Sequence, residues 1–266
     1  MTPGVSRGIL EAIEGDALTA TSVMTTSPWW PETAAALGSH RERVDVGLHL
    51  NLTLGAPLGP MPKFAPDGQL PNIGTLVRMS RNRALPFDEL AAEIARQADM
   101  FFKVFGHPPD HLDGHQHVHV LRPIRPLVLA VLRERGWRPW LRDSGDRPAR
   151  ILRRGTSPAK ALGLALLGRG FRWEAEQASL RTNEGFSGFS AFNARDDYAR
   201  LFARYLISPG RCHLVMCHPG YVDDDLRRLD PVVETREQEL KFLLSSCFRE
   251  LLARQGAALC RLSRHE

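Results

Sequence analysis

The residues best suited to chemistry lie in one nine-residue segment, His111-Leu-Asp-Gly-His-Gln-His-Val-His119, which holds four histidines and Asp113. In an extended strand alternate side chains share a face, so His111, Asp113, His115, His117 and His119 are expected to project the same way. Imidazole nitrogens and carboxylate oxygens are ligands for zinc and other catalytic divalent ions. Two further segments deliver a histidine near the end of an apolar run. Val44-Asp-Val-Gly-Leu-His-Leu-Asn-Leu52 carries His49, and Leu214-Val-Met-Cys-His-Pro-Gly-Tyr221 runs apolar into His218 before Pro219 and Gly220 break it. A lone histidine in such a place is ordinarily a core residue bonded to a backbone carbonyl, or part of a surface turn. Three apolar strands that each end in a histidine are hard to explain by packing alone.

The elements around these segments alternate. Residues 3–14 are expected to be helical, with Thr2 as N-cap and Pro3 at the first helical position. Residues 19–26 read as a strand, 31–37 as a short helix and 43–52 as the strand bearing His49. Residues 55–86 are rich in Gly and Pro with no clear period, as expected of a functional or mobile loop. Phe87, Leu90, Ala91, Ile94, Ala98, Phe101, Phe102 and Phe105 recur at helical spacing, and Gly106 closes that helix. After the histidine segment come a helix over 123–135, a strand over 137–141, and an irregular, arginine-rich stretch over 142–170 with one helical part. A helix over 195–206, a strand over 212–217, a helix over 235–254 and a last strand over 257–262 complete the chain. Such alternation implies a parallel sheet, closed or open. In a parallel barrel the chemistry lies at the C-terminal strand ends, where His49, His115 and His218 all fall.

Thr2-Pro-Gly-Val-Ser-Arg-Gly-Ile-Leu-Glu-Ala12, Val46-Gly-Leu-His-Leu-Asn-Leu-Thr53 and the His111–His119 segment resemble the YdjC family of carbohydrate deacetylases, as do Glu184-Gly-Phe-Ser-Gly-Phe189 and Val215-Met-Cys-His-Pro-Gly220. That family includes chitooligosaccharide and hopanoid-associated deacetylases. The resemblance runs from Thr2 to about Leu262. It implies one α/β domain over residues 1–266, a distorted, TIM-like (β/α) barrel of the polysaccharide-deacetylase type. Family members carry an Asp-Asp-Phe-Gly type motif on a first strand, which is missing from this chain. The expectation is therefore that codons upstream of Met1 encode it.

The resemblance also implies a reaction and a site. Water must attack the poorly electrophilic carbonyl of an acetylated amino sugar, and a divalent ion, magnesium or zinc, activates that water and polarises the carbonyl. His49 and His115 correspond to two metal ligands, and an aspartate of the missing pair to the third, with its neighbour as general base. His218 matches the late histidine expected to protonate the departing amine. His111 and Asp113 look like supports of the ligands, since a carboxylate beside a metal-bound imidazole fixes its tautomer. His117 and His119 serve the same site or cap the turn. Asn51 and Thr53 are candidates to line the cleft, and Phe186 and Phe189 to stack on the sugar. Trp29, Trp30, Trp137, Trp140 and Trp173 are also available for stacking, although tryptophan is most often core. Asp45 cannot supply the third ligand, because four residues before His49 on a strand it lies roughly 13 Å away.

Composition narrows the alternatives. At 266 residues with 43% apolar content the chain can fill the core of one sizeable domain. A formal charge of +5 and a pI near 9.3 come almost wholly from arginines scattered among acids, with no recognition motif, so no nucleic-acid partner is expected. Cys212, Cys217, Cys247 and Cys260 show no metal or redox spacing. No leader opens the chain, and the most apolar run, residues 161–167, is far too short to span a bilayer. A soluble, cytoplasmic setting is expected, with an N-acetylated sugar or oligosaccharide as partner and a homodimer as a compatible assembly. Two rival functions remain at this stage. One is a noncatalytic glycan-binding homologue that lacks the aspartates. The other is a metal phosphoesterase, against which stands the absence of a Gly-rich phosphate loop.

Overall fold

Thr2 and Pro3 start the first helix as expected. The Thr2 hydroxyl accepts the Val5 N–H at 3.5 Å, and α1 spans Pro3–Glu14. The computed structural model describes residues 1–230 and 232–265. After α1 come β1 (Ala20–Val23), α2 (Trp30–Gly38), β2 (Asp45–Leu50), α3 (Ile73–Arg81) and α4 (Phe87–Phe105). Next are β3 (His111–Gly114), α5 (Arg125–Glu134), β4 (Trp140–Leu141), α6 (Pro148–Arg154), α7 (Pro158–Leu167) and α8 (Phe171–Gln177). The last third holds β5 (Phe186–Ser187), α9 (Tyr198–Tyr205), β6 (Leu214–Val215), α10 (Asp224–Leu229), α11 (Arg236–Leu243) and α12 (Ser246–Arg254).

All strand pairs are parallel. One sheet has the order β1-β2-β3-β4, and β5 pairs with β6. A single bridge between Leu141 and Thr182 joins the two halves. Among the described residues, β1 has no strand beyond β2 and β6 none beyond β5, so the barrel is open along that seam. The outward residues of β2, Val46, Leu48 and Leu50, are fully buried with Leu90, Ile94 and Phe101 of α4. Each such side chain contributes about 1.5–3 kcal/mol, so the β2–α4 layer is a firm support under the strand that bears His49. α4 ends where Gly106 takes a left-handed φ of 84° and returns its N–H to Phe102.

The inward residues of the same strands form layers. Register sets Gly47 beside His111 and His111 beside Trp140. The His111 ring lies over Gly47 and stacks on Trp140 at 4.4 Å between centroids and 16° between planes. A Cβ at Gly47 would come within 2.3 Å of that ring. Gly47→Ala is therefore expected to destabilise the fold by at least about 1–3 kcal/mol, read as a lower urea midpoint; an unchanged midpoint would refute this packing.

Four elements differ from the sequence expectation. The segment 55–86 contains α3, capped by Asn72, whose Oδ1 accepts the Thr75 N–H at 2.9 Å; its period is faint because Leu76 is its only buried residue. Residues 142–170 hold two helices, α6 and α7, rather than one. The long helix over 235–254 breaks at Ser245, whose hydroxyl bonds back to the Phe242 carbonyl at 2.6 Å. Residues 257–262 form no strand. Their neighbours turn under the barrel, where Arg261 Nε (2.7 Å) and the Ser263 N–H (2.9 Å) reach the buried Asp45, which also accepts Trp140 Nε1–H at 3.1 Å. Those donors outweigh burial and lower the Asp45 pKa. No helix of the described residues is long and apolar enough to cross a membrane.

Candidate active site

One layer above His111 the ladder sets three adjacent strands side by side. His49 on β2 is in register with Asp113 on β3, and Arg142 follows directly after β4. His49 Nδ1 donates to Asp113 Oδ1 at 2.6 Å, and Arg142 Nη1 donates to Asp113 Oδ2. Ser22 of β1 adds its hydroxyl to Oδ2 at 3.1 Å. Burial opposes the Asp113 charge, but Arg142 and His49 overcome it and hold the carboxyl well below the usual range. Asp113 is thus a permanent anion with its lone pairs engaged. It suits the task of orienting His49 and does not suit that of a proton-accepting base. With Nδ1–H committed to Asp113, Nε2 is the His49 nitrogen left for a ligand.

The strand that carries the histidine segment ends at Gly114, so the five side chains do not share a face. Gln116 and His117 adopt left-handed φ values of 49° and 60°, and a 3-10 turn covers His115–Val120. Each histidine is sent a different way. His115 turns back toward His49, ring centroids 5.8 Å apart and 67° between planes. Burial first, and then the charge of His49, push its pKa down to about 3, so it is a neutral imidazole with a free lone pair. His117 meets the Ser144 hydroxyl at 3.0 Å and accepts from Arg142 Nη2 at 3.3 Å, which ties it to Asp113 through the same guanidinium. His119 is buried and donates Nε2–H to the Arg142 carbonyl at 2.7 Å, pinning the turn to β4. His111 sits in the layer below, and its Nδ1 has no partner. The expectation that it supports a ligand is corrected: it packs the barrel floor.

His218 stands just beyond β6. Its N–H donates to Glu239 Oε2 at 2.6 Å, and the edge of its ring meets Phe192 with centroids 5.5 Å apart. Burial, then the nearby Arg236, push its pKa down to about 3; Asp230 opposes them, and His49 is close enough for its charge to be felt. The imidazole is therefore neutral at physiological pH. Glu239 is buried, accepts the Tyr198 hydroxyl at 3.1 Å, and has its pKa raised to about 7 by burial, against the pull of the His218 N–H. A carboxyl raised in this way favours the fold at low pH and loses that contribution as pH rises from about 4.5 through about 7. Glu239→Gln, which keeps an acceptor and removes the charge, is expected to gain about 2–3 kcal/mol on wild type between pH 5 and pH 8 in urea unfolding. A pH-independent difference would contradict the buried charge.

The proposed substrate contacts fare differently. Asn51 is buried and spends its amide locally, donating to Thr26 (2.9 Å) and the Leu54 carbonyl (2.7 Å) and accepting from Thr53 and Leu54 N–H groups. It caps the loop after β2 and has nothing left for a sugar. Thr53 is buried beside it. Phe186 and Phe189 are 2% and 4% exposed and pack edge-on against each other and on His117, so they offer no open face. Among the tryptophans, Trp30 and Trp140 are core. Sequence reasoning missed Arg142, Ser22, Asp230, Arg236, Glu239 and the half-buried Phe192. Strand register could have pointed to Ser22 and Arg142, which neighbour His49 and Asp113 in the ladder. The others come from loops and a late helix with no motif of their own.

For a divalent ion the donor set fits in part. His115 is a neutral imidazole, and Asp113 sets which ring nitrogen of His49 is left for a ligand. Among the described residues no third His, Cys, Asp or Glu joins them to complete a group of three.

The fold is a parallel α/β barrel with imidazoles at the C-terminal strand ends, where barrels of this class carry their active sites. The chain belongs to the YdjC-like protein family, whose sequence pattern it matches over residues 1–254. It is 34% identical over 227 residues to a chitooligosaccharide deacetylase of Klebsiella pneumoniae subsp. pneumoniae, covering 84% of this chain and 79% of that one. A chitooligosaccharide deacetylase of Klebsiella pneumoniae strain 342 is 32% identical over 263 residues, 97% of this chain and 92% of its own. The fold is shared with an Enterococcus faecalis V583 crystal structure named for cellobiose-phosphate cleavage, at a TM-score of 0.72 and 23% identity over 98% of this chain and 92% of that one.

Proposed function

We propose that this protein is a carbohydrate deacetylase that hydrolyses the acetamide of an N-acetylated amino sugar or oligosaccharide. The observation that supports it is the interlocked His49–Asp113–Arg142 row beside His115, at the mouth of a barrel whose relatives are named for that reaction. His49 Nε2 and the His115 ring would hold a divalent ion, magnesium or zinc, leaving positions for water and substrate. Such an ion, when bound, lowers the pKa of water and polarises the carbonyl.

The chain's own residues carry the remaining tasks. Arg142 and Ser22 keep Asp113 anionic and still, and Asp113 keeps His49 in one tautomer. His218 is neutral before reaction, so it must accept a proton before it can give one. The attacking water releases a proton as the new C–O bond forms, and the departing amine takes one up as the C–N bond breaks. A single imidazole between them can move that proton. Phe192, half-buried beside His218, is the aromatic placed to bear on an apolar sugar face. A cytoplasmic setting belongs to the same reading and accords with four free cysteines.

A second reading, a noncatalytic glycan-binding homologue, draws on the lack of a third ligand among the described residues. Acetate release from N,N′-diacetylchitobiose and its trimer separates the two. The deacetylase reading expects release that needs added zinc or magnesium and stops with a chelator; saturable binding of the trimer without any acetate would favour the second.

A further inference from the structure

We propose that the face built by α6, α7 and α8 docks on an anionic lipid surface. The first observation is an anomaly of burial. α7 reads Pro-Ala-Lys-Ala-Leu-Gly-Leu-Ala-Leu-Leu, yet Ala161 is its only buried residue. A helix apolar nearly all round is ordinarily enclosed by protein or lipid. Here Leu166 is 70% exposed, Leu167 50%, Trp173 on α8 64% and Leu152 on α6 61%. The other exposed large hydrophobics of the described residues, Phe87, Phe102, Ile207, Leu229 and Leu259, lie outside these three helices in the chain.

The second observation is charge. Residues 147–173 contain Arg147, Arg150, Arg153, Arg154, Lys160, Arg169 and Arg172 and not one acid. Carried on to the end of α8, residues 147–177 add only Glu174 and Glu176, seven basic residues against two acidic, so this face carries the chain's formal excess of +5. Arg150, Arg154 and Arg172 are ion-paired with Asp146 or Asp143. Arg147, Arg153, Lys160 and Arg169 are exposed and have no ion pair among the described residues.

Exposed leucines and a tryptophan, with four free cations in the same stretch of chain, match the requirements of an interfacial site. Leu and Trp side chains enter the headgroup boundary while guanidinium and ammonium groups meet lipid phosphates. A second copy seated by two-fold symmetry would oppose like charges. A nucleic acid would satisfy the cations and leave the leucines unexplained. Lys160 marks where this face meets the cleft: its Nζ lies 5.1 Å from the Phe192 ring, which in turn meets His218. Docking would therefore bring the rim of the site toward the membrane, whichever reaction the site performs.

Sedimentation of the full chain with vesicles of phosphatidylcholine, with or without phosphatidylglycerol, tests this. Binding to the mixed vesicles is expected to be at least about tenfold tighter than to phosphatidylcholine alone, and to weaken with salt. Leu166→Ser/Leu167→Ser/Trp173→Ser and, separately, Arg147→Glu/Arg153→Glu/Arg169→Glu should each weaken it at least about tenfold with unchanged thermal melting. The proposal is overturned by no binding to mixed vesicles at low salt, by binding untouched by both variants, or by a wild-type dimer that the leucine–tryptophan variant dissociates while vesicles bind nothing. Retention on duplex DNA without vesicle binding would overturn it equally.

Discussion

Replacing His49 or His115 with alanine is expected to abolish the proposed binding of a divalent ion and to lower acetate release by more than about a hundredfold. The expectation follows from how little else can compensate. The pair has no third protein ligand among the described residues, so either loss leaves a single imidazole. His49 is also the residue that Asp113, Arg142 and Ser22 are organised around, through contacts of 2.6 Å and 3.1 Å and the buried guanidinium. Asp113→Asn should be milder. It keeps an acceptor for His49 but loses the anion that Arg142 stabilises, and changes to such supporting carboxylates typically cost about 10–100-fold. Elemental analysis beside acetate assays reads both effects. Unchanged metal content in the two alanine variants would remove His49 and His115 from the ligand set.

His218→Ala is expected to keep its metal and lose turnover, on the order of a hundredfold or more in kcat. The geometry separates the two roles. His218 is presented by a turn held from below by Glu239 and beside Phe192, and no hydrogen bond joins it to the Asp113 row. Its pKa near 3 also shapes the pH profile. A neutral imidazole that must first take up a proton leaves the rate insensitive to its titration between pH 6 and 8, whereas a standing imidazolium would give a rate that falls with rising pH in that range. Near-wild-type turnover in the alanine variant would end the assignment.

The core of the site was legible because β-strand periodicity and register are arithmetic. His49 at the end of an apolar run and Asp113 two residues after His111 could be placed on inward faces from sequence, and they meet across the ladder. What periodicity could not reveal was where the strand stops. Gly114 and two left-handed residues after His115 convert an apparent row of five ligands into a turn that distributes them. The same limit explains Phe186 and Phe189, whose burial is decided by packing with Ile151 and Ala161 of helices that the sequence showed only faintly. Asn51 was misread for a related reason: a polar residue at a strand end looks the same whether it faces a substrate or caps its own loop. The helices α4 and α1 were read to the residue because cap and stripe agreed. Glu239 was invisible, since it acts through a partner brought by tertiary structure alone, whereas Arg142 follows β4 and lies within reach of strand register.

The most direct measurement is a single isotope experiment. The trimer of N-acetylglucosamine is incubated in oxygen-18 water with the protein and zinc or magnesium, and the products are weighed by mass spectrometry. Hydrolysis of the acetamide by water predicts acetate carrying one heavy oxygen, a sugar lighter by one or more acetyl groups, and no label in the sugar beyond what its reducing end exchanges with labelled water alone. Unchanged trimer under every divalent ion, or label in the sugar above the protein-free control without acetate, would contradict the assignment of this site to deacetylation.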